Sequence, residues 1–351
     1  MKIFDYLQED NYEQLIFFQD KDTGLKAVIC IHNTTLGPAL GGTRFWNYGS
    51  EDEAIVDAIR LARGMTYKNA AAGLNAGGGK AVIIGDPQKI KSEELFRTYA
   101  RFVEGLNGRF ITGQDMNITL QDLAYMGSET QYVAGVAGKG GAPSPITAFG
   151  VFRGLLAAVK EKYGNEDLTG KKVAVQGLGA VGYEVCNYLQ EAGAQLYVTD
   201  IVQENIDRAV NELGATAVDK DEIYGVDCQI FVPCAMGAIV NDETIDQFKC
   251  DIIAGSANNQ LAEERHGDML EEKGILYVPD YVINSGGVIN VYEELQGYDR
   301  DRAMARASAI YNNVAIIFDI AKRDNIPTYK AADRMAEERI EKMSRINSIY
   351  L

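Results

Sequence analysis

The chain has 351 residues, 46% of them apolar and 24% charged, with a formal net charge of −16; that length and composition allow two globular domains with full cores. No block of Lys and Arg stands out, which argues against nucleic acid and anionic membrane as partners, because both need a basic footprint. The five cysteines (Cys30, Cys186, Cys228, Cys234 and Cys250) form no C-x-x-C pair, so reduced thiols in a cytoplasmic protein are expected, with no disulfide framework and no metal.

The N-terminal MKIFDYLQED is acidic and has no long apolar core, so it is not expected to be a signal peptide. No apolar run reaches the ~18 residues of a membrane helix. EQLIFFQD, KAVICIHN, KAVIIGD and GRFITGQD are short and rich in β-branched or aromatic residues, which predicts strands. SEDEAIVDAIRLARGMTY carries Ile55, Ile59, Leu61 and Ala62 at helical spacing. Ser50 is its predicted N-cap, with Glu53 completing a capping box. The mixture reads as an α/β domain.

NAAAGLNAGGGKAVIIGD, residues 69–86, holds five glycines and one lysine. A P-loop needs G-x-x-x-x-G-K-[ST]. Leu74 stands where its first glycine belongs, and Ala81 replaces the Ser or Thr, so the phosphate-cradle reading fails. A glycine turn presenting Lys80 at a strand remains, with the glycines expected to let the chain crowd a substrate. Lys68 lies twelve residues earlier in GMTYKNAA. Burying an ammonium among small apolar residues is costly. The two lysines are therefore either surface side chains lying along apolar ground or parts of a site.

GGAPSPITAFGVFRGLLAAVKEKYG predicts a proline-rich turn and a long helix ending at Gly164, suited to bridge two domains. Strand and helix then alternate. KKVAVQG, QLYVTD, CQIFVPC, CDIIAG and ILYVPD are near-continuous apolar runs, as parallel strands buried on both faces require. Gly177, Gly179 and Gly182 form G-x-G-x-x-G directly after a strand and opening a helix. Such glycines give the tight turn, the close approach to a pyrophosphate and the helix–strand packing of a dinucleotide site. Asp200 ends the next strand, where a carboxylate accepts from both ribose hydroxyls and repels a 2′-phosphate; NAD is expected over NADP. Asn258 and Asn259 follow CDIIAG at the carboxyl edge of the sheet, where ligands bind in such folds. In DRAMARASAIYNNVAIIFDIAKRD, Ile310, Val314, Ile317, Phe318 and Ala321 share one face, expected to pack back onto the first domain. The predicted fold is α/β in two domains separated by a cleft. An N-terminal mixed α/β substrate and oligomerisation domain spans 1–145, with C-terminal helices of about 325–351 packing back on it. A Rossmann-type doubly wound NAD-binding domain spans 146–324.

TTLGPALGGTR, ARGMTYKNAAAGLNAGGGKAVIIGDP, NGRFITGQD, PSPITAFGVFRG, GSANNQL and PDYVINSGGVINV resemble, in order and over essentially the whole chain, the glutamate/leucine/phenylalanine/valine dehydrogenases. The resemblance implies reversible NAD-dependent oxidative deamination of an L-amino acid to the 2-oxo acid, ammonium and NADH. It implies that Lys68 holds the substrate carboxylate, Lys80 is the general base that activates water, and Asp115 handles the amine and proton transfer. Lys68 and apolar surroundings are expected to lower the Lys80 pKa. Thr147, Ala180, Val181 and Asn258 are implied to join Gly177, Gly179, Gly182 and Asp200 at the cofactor. Leu40, Gly41, Gly113, Asn259, Val288 and Val291 are implied to meet the substrate. His32 and His266 are expected to be structural.

Leu40 stands where glutamate-specific members carry a lysine, and Val288 and Val291 are apolar, so a hydrophobic amino acid is expected. The body of the chain is similar to leucine-type members. Gly113 (Ala in that type), RFITGQDMNIT, GVAGKGGAPSP and INVYEE instead resemble tryptophan-type members. The expectation is a broad or aromatic-accepting enzyme, tryptophan or phenylalanine slightly ahead of leucine, with a strict leucine enzyme as the alternative. A non-catalytic NAD-binding protein would have lost Lys68, Lys80 or Asp115. A 2-hydroxy-acid dehydrogenase would need a His–Arg pair that is not evident. A homo-oligomer associating through the N-terminal domain is implied.

Overall fold

A computed structural model describes residues 2–136, 140 and 142–347. It divides into two compact units: Met1–Gly141 with Val291–Tyr298 and Ala336–Leu351, and Ala142–Asn290 with Asp299–Met335.

In the first unit, strands β1 (Gln14–Asp20), β2 (Leu25–Asn33), β3 (Ala39–Leu40), β4 (Thr43–Trp46), β5 (Gly77–Ile84) and β6 (Phe110–Ile111) form one sheet in the order β1-β2-β5-β3-β6, with β4 also on β5. β2 runs antiparallel to β1 and β5, whereas β3 and β4 run parallel to β5. Side chains alternate between faces along a strand. Ala81 and Ile83 of β5 join a core with Leu95, Phe96, Tyr99 and Phe110. Val82 faces the other way, into a core with Cys30, Ala54, Ala58 and Ala62. Helix Glu51–Ala71 supplies those alanines, whose small side chains bring its axis close to the sheet. Ser50 caps it, accepting from the Glu53 N–H at 3.2 Å. The Glu53 carboxylate accepts from Gly49 N–H at 2.9 Å, so the expected box closes one residue outside the N-cap.

That close approach is what Gly78 of β5 serves, while Gly77 and Gly79 give way to neighbouring strands and loops. A Cβ on Gly77 would overlap the Asn33 carbonyl oxygen, and one on Gly78 would overlap the Thr66 amide and hydroxyl. On Gly79 it would sit 3.0 Å from the Cys30 oxygen and the Phe110 ring. Protein atoms fill these positions, so these three glycines let chain crowd chain, which corrects the expectation that they let the chain crowd a substrate.

In the second unit, β7 (Lys172–Gln176), β8 (Gln195–Thr199), β9 (Thr216–Ala217), β10 (Ile230–Pro233), β11 (Ile252–Ile253) and β12 (Leu276–Tyr277) form a sheet in the order β12-β11-β10-β7-β8-β9. Every pairing is parallel. The first strand lies centrally and the chain winds outward in both directions, the doubly wound order of dinucleotide-binding sheets. Helix Ser144–Tyr163 ends at Gly164, whose φ of 80° is the left-handed cap that glycine adopts without strain. This helix counts wholly with the second unit, not as a bridge. Helix Ile310–Asp324 buries Ile310, Val314, Ile317 and Phe318, as the apolar stripe predicts. Its partner is helix Ser144–Tyr163, where a Cβ on Gly150 would lie 2.5 Å from Ile310 Cδ1. The expectation that this stripe packs on the first domain is therefore corrected: Gly150 and Gly154 open a groove for it within the second unit. Within the first unit, Ala336 packs with Leu36 and Ala70. Among the described residues no helix is long and apolar enough to cross a membrane, and all five cysteines are free.

Candidate functional site

The period of two along β5 puts Gly78, Lys80 and Val82 on the side facing helix Glu51–Ala71. The Lys80 side chain is 8% exposed, and its Nζ lies 3.1 Å from Asp115 Oδ2. Asp115 follows β6 and is brought in by the backbone. Thr43 N–H donates to the Gly113 oxygen at 2.9 Å. A Cβ on Gly42 would lie 2.5 Å from the Gln114 oxygen and 3.1 Å from Asp115 Cβ; only glycine lets these segments close. Asp115 Oδ2 also accepts from Arg44 Nε at 3.0 Å. Arg44 Nη1 in turn donates to Asp57 Oδ2 at 2.8 Å. Asp57 accepts from the Tyr48 hydroxyl at 2.7 Å and from Arg60 Nη2 at 3.0 Å.

Burial lowers the Lys80 pKa below the ordinary lysine value, against the pull of the Asp115 carboxylate and with the help of the Arg44 cation. Burial opposes ionisation of Asp115, but Lys80 and Arg44 outweigh it and hold the carboxyl below its usual range. The site thus sets an anionic carboxylate against a lysine whose hold on its proton is weakened by burial, a combination that suits general-base chemistry.

Lys68 is half-buried near the end of helix Glu51–Ala71. Its neighbour Asn69 is fully buried, and its Nδ2 donates to the Gly77 oxygen at 2.6 Å and the Leu40 oxygen at 3.3 Å. Leu40 is 2% exposed on β3, and a Cβ on Gly41 would overlap the Gly79 oxygen. A Cβ on Gly113 would meet only the Ala134 oxygen, at 3.5 Å. Lys80, Asp115, Leu40, Gly41 and Gly113 therefore gather around the first half of β5, and Lys68 lies on the helix that packs against that strand. Val291 belongs to this unit, whereas Val288, three residues earlier on helix Gly286–Leu295, belongs to the second.

The second unit holds the other predicted residues. Gly177 has φ 95° and its N–H donates to the Thr199 oxygen at 2.8 Å; a Cβ there would press on Ala235. A Cβ on Gly182 would overlap the Gly177 oxygen. Around Gly179 nothing lies within 4 Å of that position, and no side chain caps helix Ala180–Glu191. An uncapped helix start, exposed at Ala180 and half-buried at Val181, leaves backbone N–H groups for an anion. Asp200 Oδ2 accepts from Leu178 N–H at 2.5 Å and Oδ1 from Val202 N–H at 2.8 Å. Each oxygen retains a lone pair for a ribose hydroxyl. These residues fit a dinucleotide. Thr147 donates to the Pro143 oxygen at 2.9 Å, and a Cβ on Gly286 would touch Thr147 Cα at 2.5 Å. Asn258 and Asn259 are exposed after β11; Asn258 Oδ1 accepts from Asn284 Nδ2 at 2.8 Å, and Asn259 is left-handed with φ 51°.

Both histidines are occupied elsewhere. His32 Nδ1 pairs with the Thr66 hydroxyl at 2.8 Å and burial pushes its pKa down. His266 Nδ1 accepts from Glu263 N–H at 3.1 Å. Sequence reasoning missed Arg44 and Asp57. The available signal was the arginine of GGTRF, a cation two residues after a glycine pair in one of the motifs that carry the family resemblance.

Two family models match the chain: the Glu/Leu/Phe/Val dehydrogenase dimerisation domain over residues 12–132, and glutamate/leucine/phenylalanine/valine dehydrogenase over residues 198–345. The glycine loop at 177–182 lies between these spans. The chain is 62% identical over 354 residues to the leucine dehydrogenase of Thermoactinomyces intermedius, covering 100% of this chain and 97% of that protein. It is 50% identical over 349 residues to the L-tryptophan dehydrogenase of Nostoc punctiforme, covering 99% of each. The crystal structure of L-tryptophan dehydrogenase from Nostoc punctiforme superposes with a TM-score of 0.90 at 49% identity, over 97% of this chain and 99% of that one. The chain belongs to the Glu/Leu/Phe/Val dehydrogenase family, and is an amino-acid dehydrogenase of an NAD(P)-dependent kind.

Proposed function

We propose that this member of the family oxidatively deaminates a hydrophobic L-amino acid, reversibly and with NAD, to the 2-oxo acid, ammonium and NADH. The observation that carries the reading is the pairing of buried Lys80 with half-buried Asp115, with apolar Leu40 on the neighbouring strand β3. Lys68 opposes the substrate carboxylate, while Asp115 accepts from the substrate amine. Gly177, Gly179, Gly182, Asp200, Thr147 and Asn258 would hold the cofactor, which would supply the hydride acceptor. Neutral Lys80 then takes a proton from the water that adds to the iminium carbon. The lysine returns that proton as the carbinolamine collapses to ammonium and the 2-oxo acid. Asn259, Val288 and Val291 complete the substrate contacts in this reading. The Asp200 carboxylate supports NAD, because it disfavours a 2′-phosphate.

Among substrates we place leucine-type side chains first, on the 62% identity to a leucine dehydrogenase over the whole chain. Aromatic side chains are the second reading, supported by the open Cβ position at Gly113. A homo-oligomer formed through the first unit is supported by the dimerisation-domain model that matches it. Five free cysteines suit a cytoplasmic setting. NADH absorbance measured across the twenty L-amino acids, with NAD and with NADP, tests the whole reading. Highest kcat/KM on leucine with NAD is expected, with glutamate inert. No amino-acid-dependent reduction, or best turnover on glutamate, overturns it.

A further inference from the structure

The Lys80–Asp115 pair does not stand alone. Arg44 on β4 pairs with Val82 across the parallel ladder, and Val82 shares the helix-facing side of β5 with Lys80. The guanidinium is thereby delivered to the same side of the sheet as the lysine. Its Nε and the Lys80 Nζ converge on a single oxygen, Asp115 Oδ2, at 3.0 and 3.1 Å. Among the described residues no hydrogen bond to Oδ1 is found. The other end of the fork is gripped by Asp57 at 2.8 Å, and Asp57 is itself gripped by Tyr48 and Arg60. The Arg44 and Asp57 side chains are 19% and 16% exposed, so their attraction is far less screened than that of a surface pair. A planar fork with two opposed anions fixes orientation as well as charge, which an ammonium does not do.

We propose that Arg44, anchored by Asp57, is the positioning residue of the deamination site: it pins Asp115 through Oδ2 and leaves Oδ1 to meet the substrate amine. The proposal rests on the amino-acid dehydrogenase reading and deepens it. Among the described residues the charged groups acting on Lys80 are Asp115 from the segment after β6, Arg44 from β4, and Asp57 from helix Glu51–Ala71. Lys68 lies on that same helix. Cys30, the partner of Lys80 on β2, is pushed up to about 12 by burial and stays neutral. Tyr48, raised by burial and by Asp57, stays neutral as well. Arg44 lowers the lysine and Asp57 raises it, so removing each must move Lys80 in opposite directions.

The test is the pH profile of kcat/KM for amino-acid oxidation, with the Lys80 titration followed independently by NMR of the 13C-dimethylated lysine. In Arg44→Met the ascending limb and the NMR midpoint are expected to rise by about one pH unit. Arg44→Lys restores the midpoint but not kcat, because charge returns without the fork. Asp57→Asn moves the midpoint down. A purely structural Arg44 would lower melting temperature and active fraction and leave both midpoints in place. An unmoved midpoint in folded Arg44→Met overturns the proposal. If that variant does not fold, an unmoved midpoint in Asp57→Asn does so. Failure of the enzymatic reading is separate, since it shows as absent amino-acid-dependent NADH formation in the unmodified protein, whereas the NMR midpoint needs no turnover.

Discussion

Gly179 and Gly182 sit three residues apart in one motif, yet a methyl group at each has opposite consequences. At Gly182 a Cβ would overlap the Gly177 carbonyl oxygen and stand 3.0 Å from Cys234 Cβ. Both neighbours are held by the sheet, so helix Ala180–Glu191 must lift away from β7. Overpacking of this kind costs about 1–3 kcal/mol, which for a unit of this size is a fall of roughly 2–10 °C in melting temperature. At Gly179 nothing lies within 4 Å, and φ is −65°, which alanine adopts. The expected change in stability is within about 0.5 kcal/mol. The added methyl instead occupies the approach to the uncapped helix start, where each lost backbone contact to a charged phosphate is worth about 1.5–3 kcal/mol. NADH affinity should therefore fall roughly 10- to 100-fold. Thermal unfolding and NADH fluorescence titration of Gly179→Ala and Gly182→Ala read the two effects separately. Wild-type NADH affinity in Gly179→Ala, or a melting temperature as low as that of Gly182→Ala, refutes the placement of the phosphates.

Lys80→Ala is expected to lose about 10²- to 10⁴-fold in kcat while binding NADH as the parent does, because Lys80 and the glycine loop belong to different units; stopped-flow turnover with a parallel NADH titration decides it. In the parent, the rate of amino-acid oxidation should climb with pH and level off below 10.5, since protonated Lys80 accepts nothing and its pKa is lowered from that value by burial. Asp57 and Asp115 both have pKa values lowered from 3.8. Their stabilisation is present above that value and lost as pH falls through the folded-state values, so acid unfolding of Asp57→Asn should be shallower below about pH 4. Gly113→Ala has room for its methyl. It should leave stability unchanged and cut kcat/KM for tryptophan and phenylalanine relative to leucine by up to roughly 10-fold; an unchanged ratio removes Gly113 from the side-chain pocket.

Chain periodicity carried most of the fold. The parallel strands of the second unit read directly from near-continuous apolar runs, since both their faces are covered. The glycine loop read from its spacing because each glycine has a separate steric duty. Helix Ile310–Asp324 was legible as a helix, but its partner was not. A stripe states which face is apolar and says nothing of where the complementary groove lies, and that groove is made by two glycines 160 and 156 residues before Ile310 in the chain. Lys80 was legible as unusual, and Arg44 was not. An arginine two residues after a glycine pair has no special periodicity, and its role depends on β4 lying parallel to β5, a pairing set by the whole sheet.

The two glycine clusters show why composition misleads and geometry discriminates. Gly77–Gly79 lie inside a strand that is paired on both edges and covered by a helix, so the space they leave is taken by Asn33, Thr66 and Cys30. Gly179 follows its strand, where the chain has left the ladder and nothing crowds it. A glycine within a ladder spends its freedom on packing, whereas one just past it leaves backbone open to a ligand. The packing in turn serves the chemistry. Only because Gly78 lets the helix close on β5 does the next helix-facing side chain, Lys80, find itself dry and set among Asp115, Arg44 and Asp57. An ammonium there is destabilised by burial, and the helix that buries it also brings in the Asp57 carboxylate that anchors its neighbouring cation. In the proposed reaction the first cluster therefore acts through the lysine it buries.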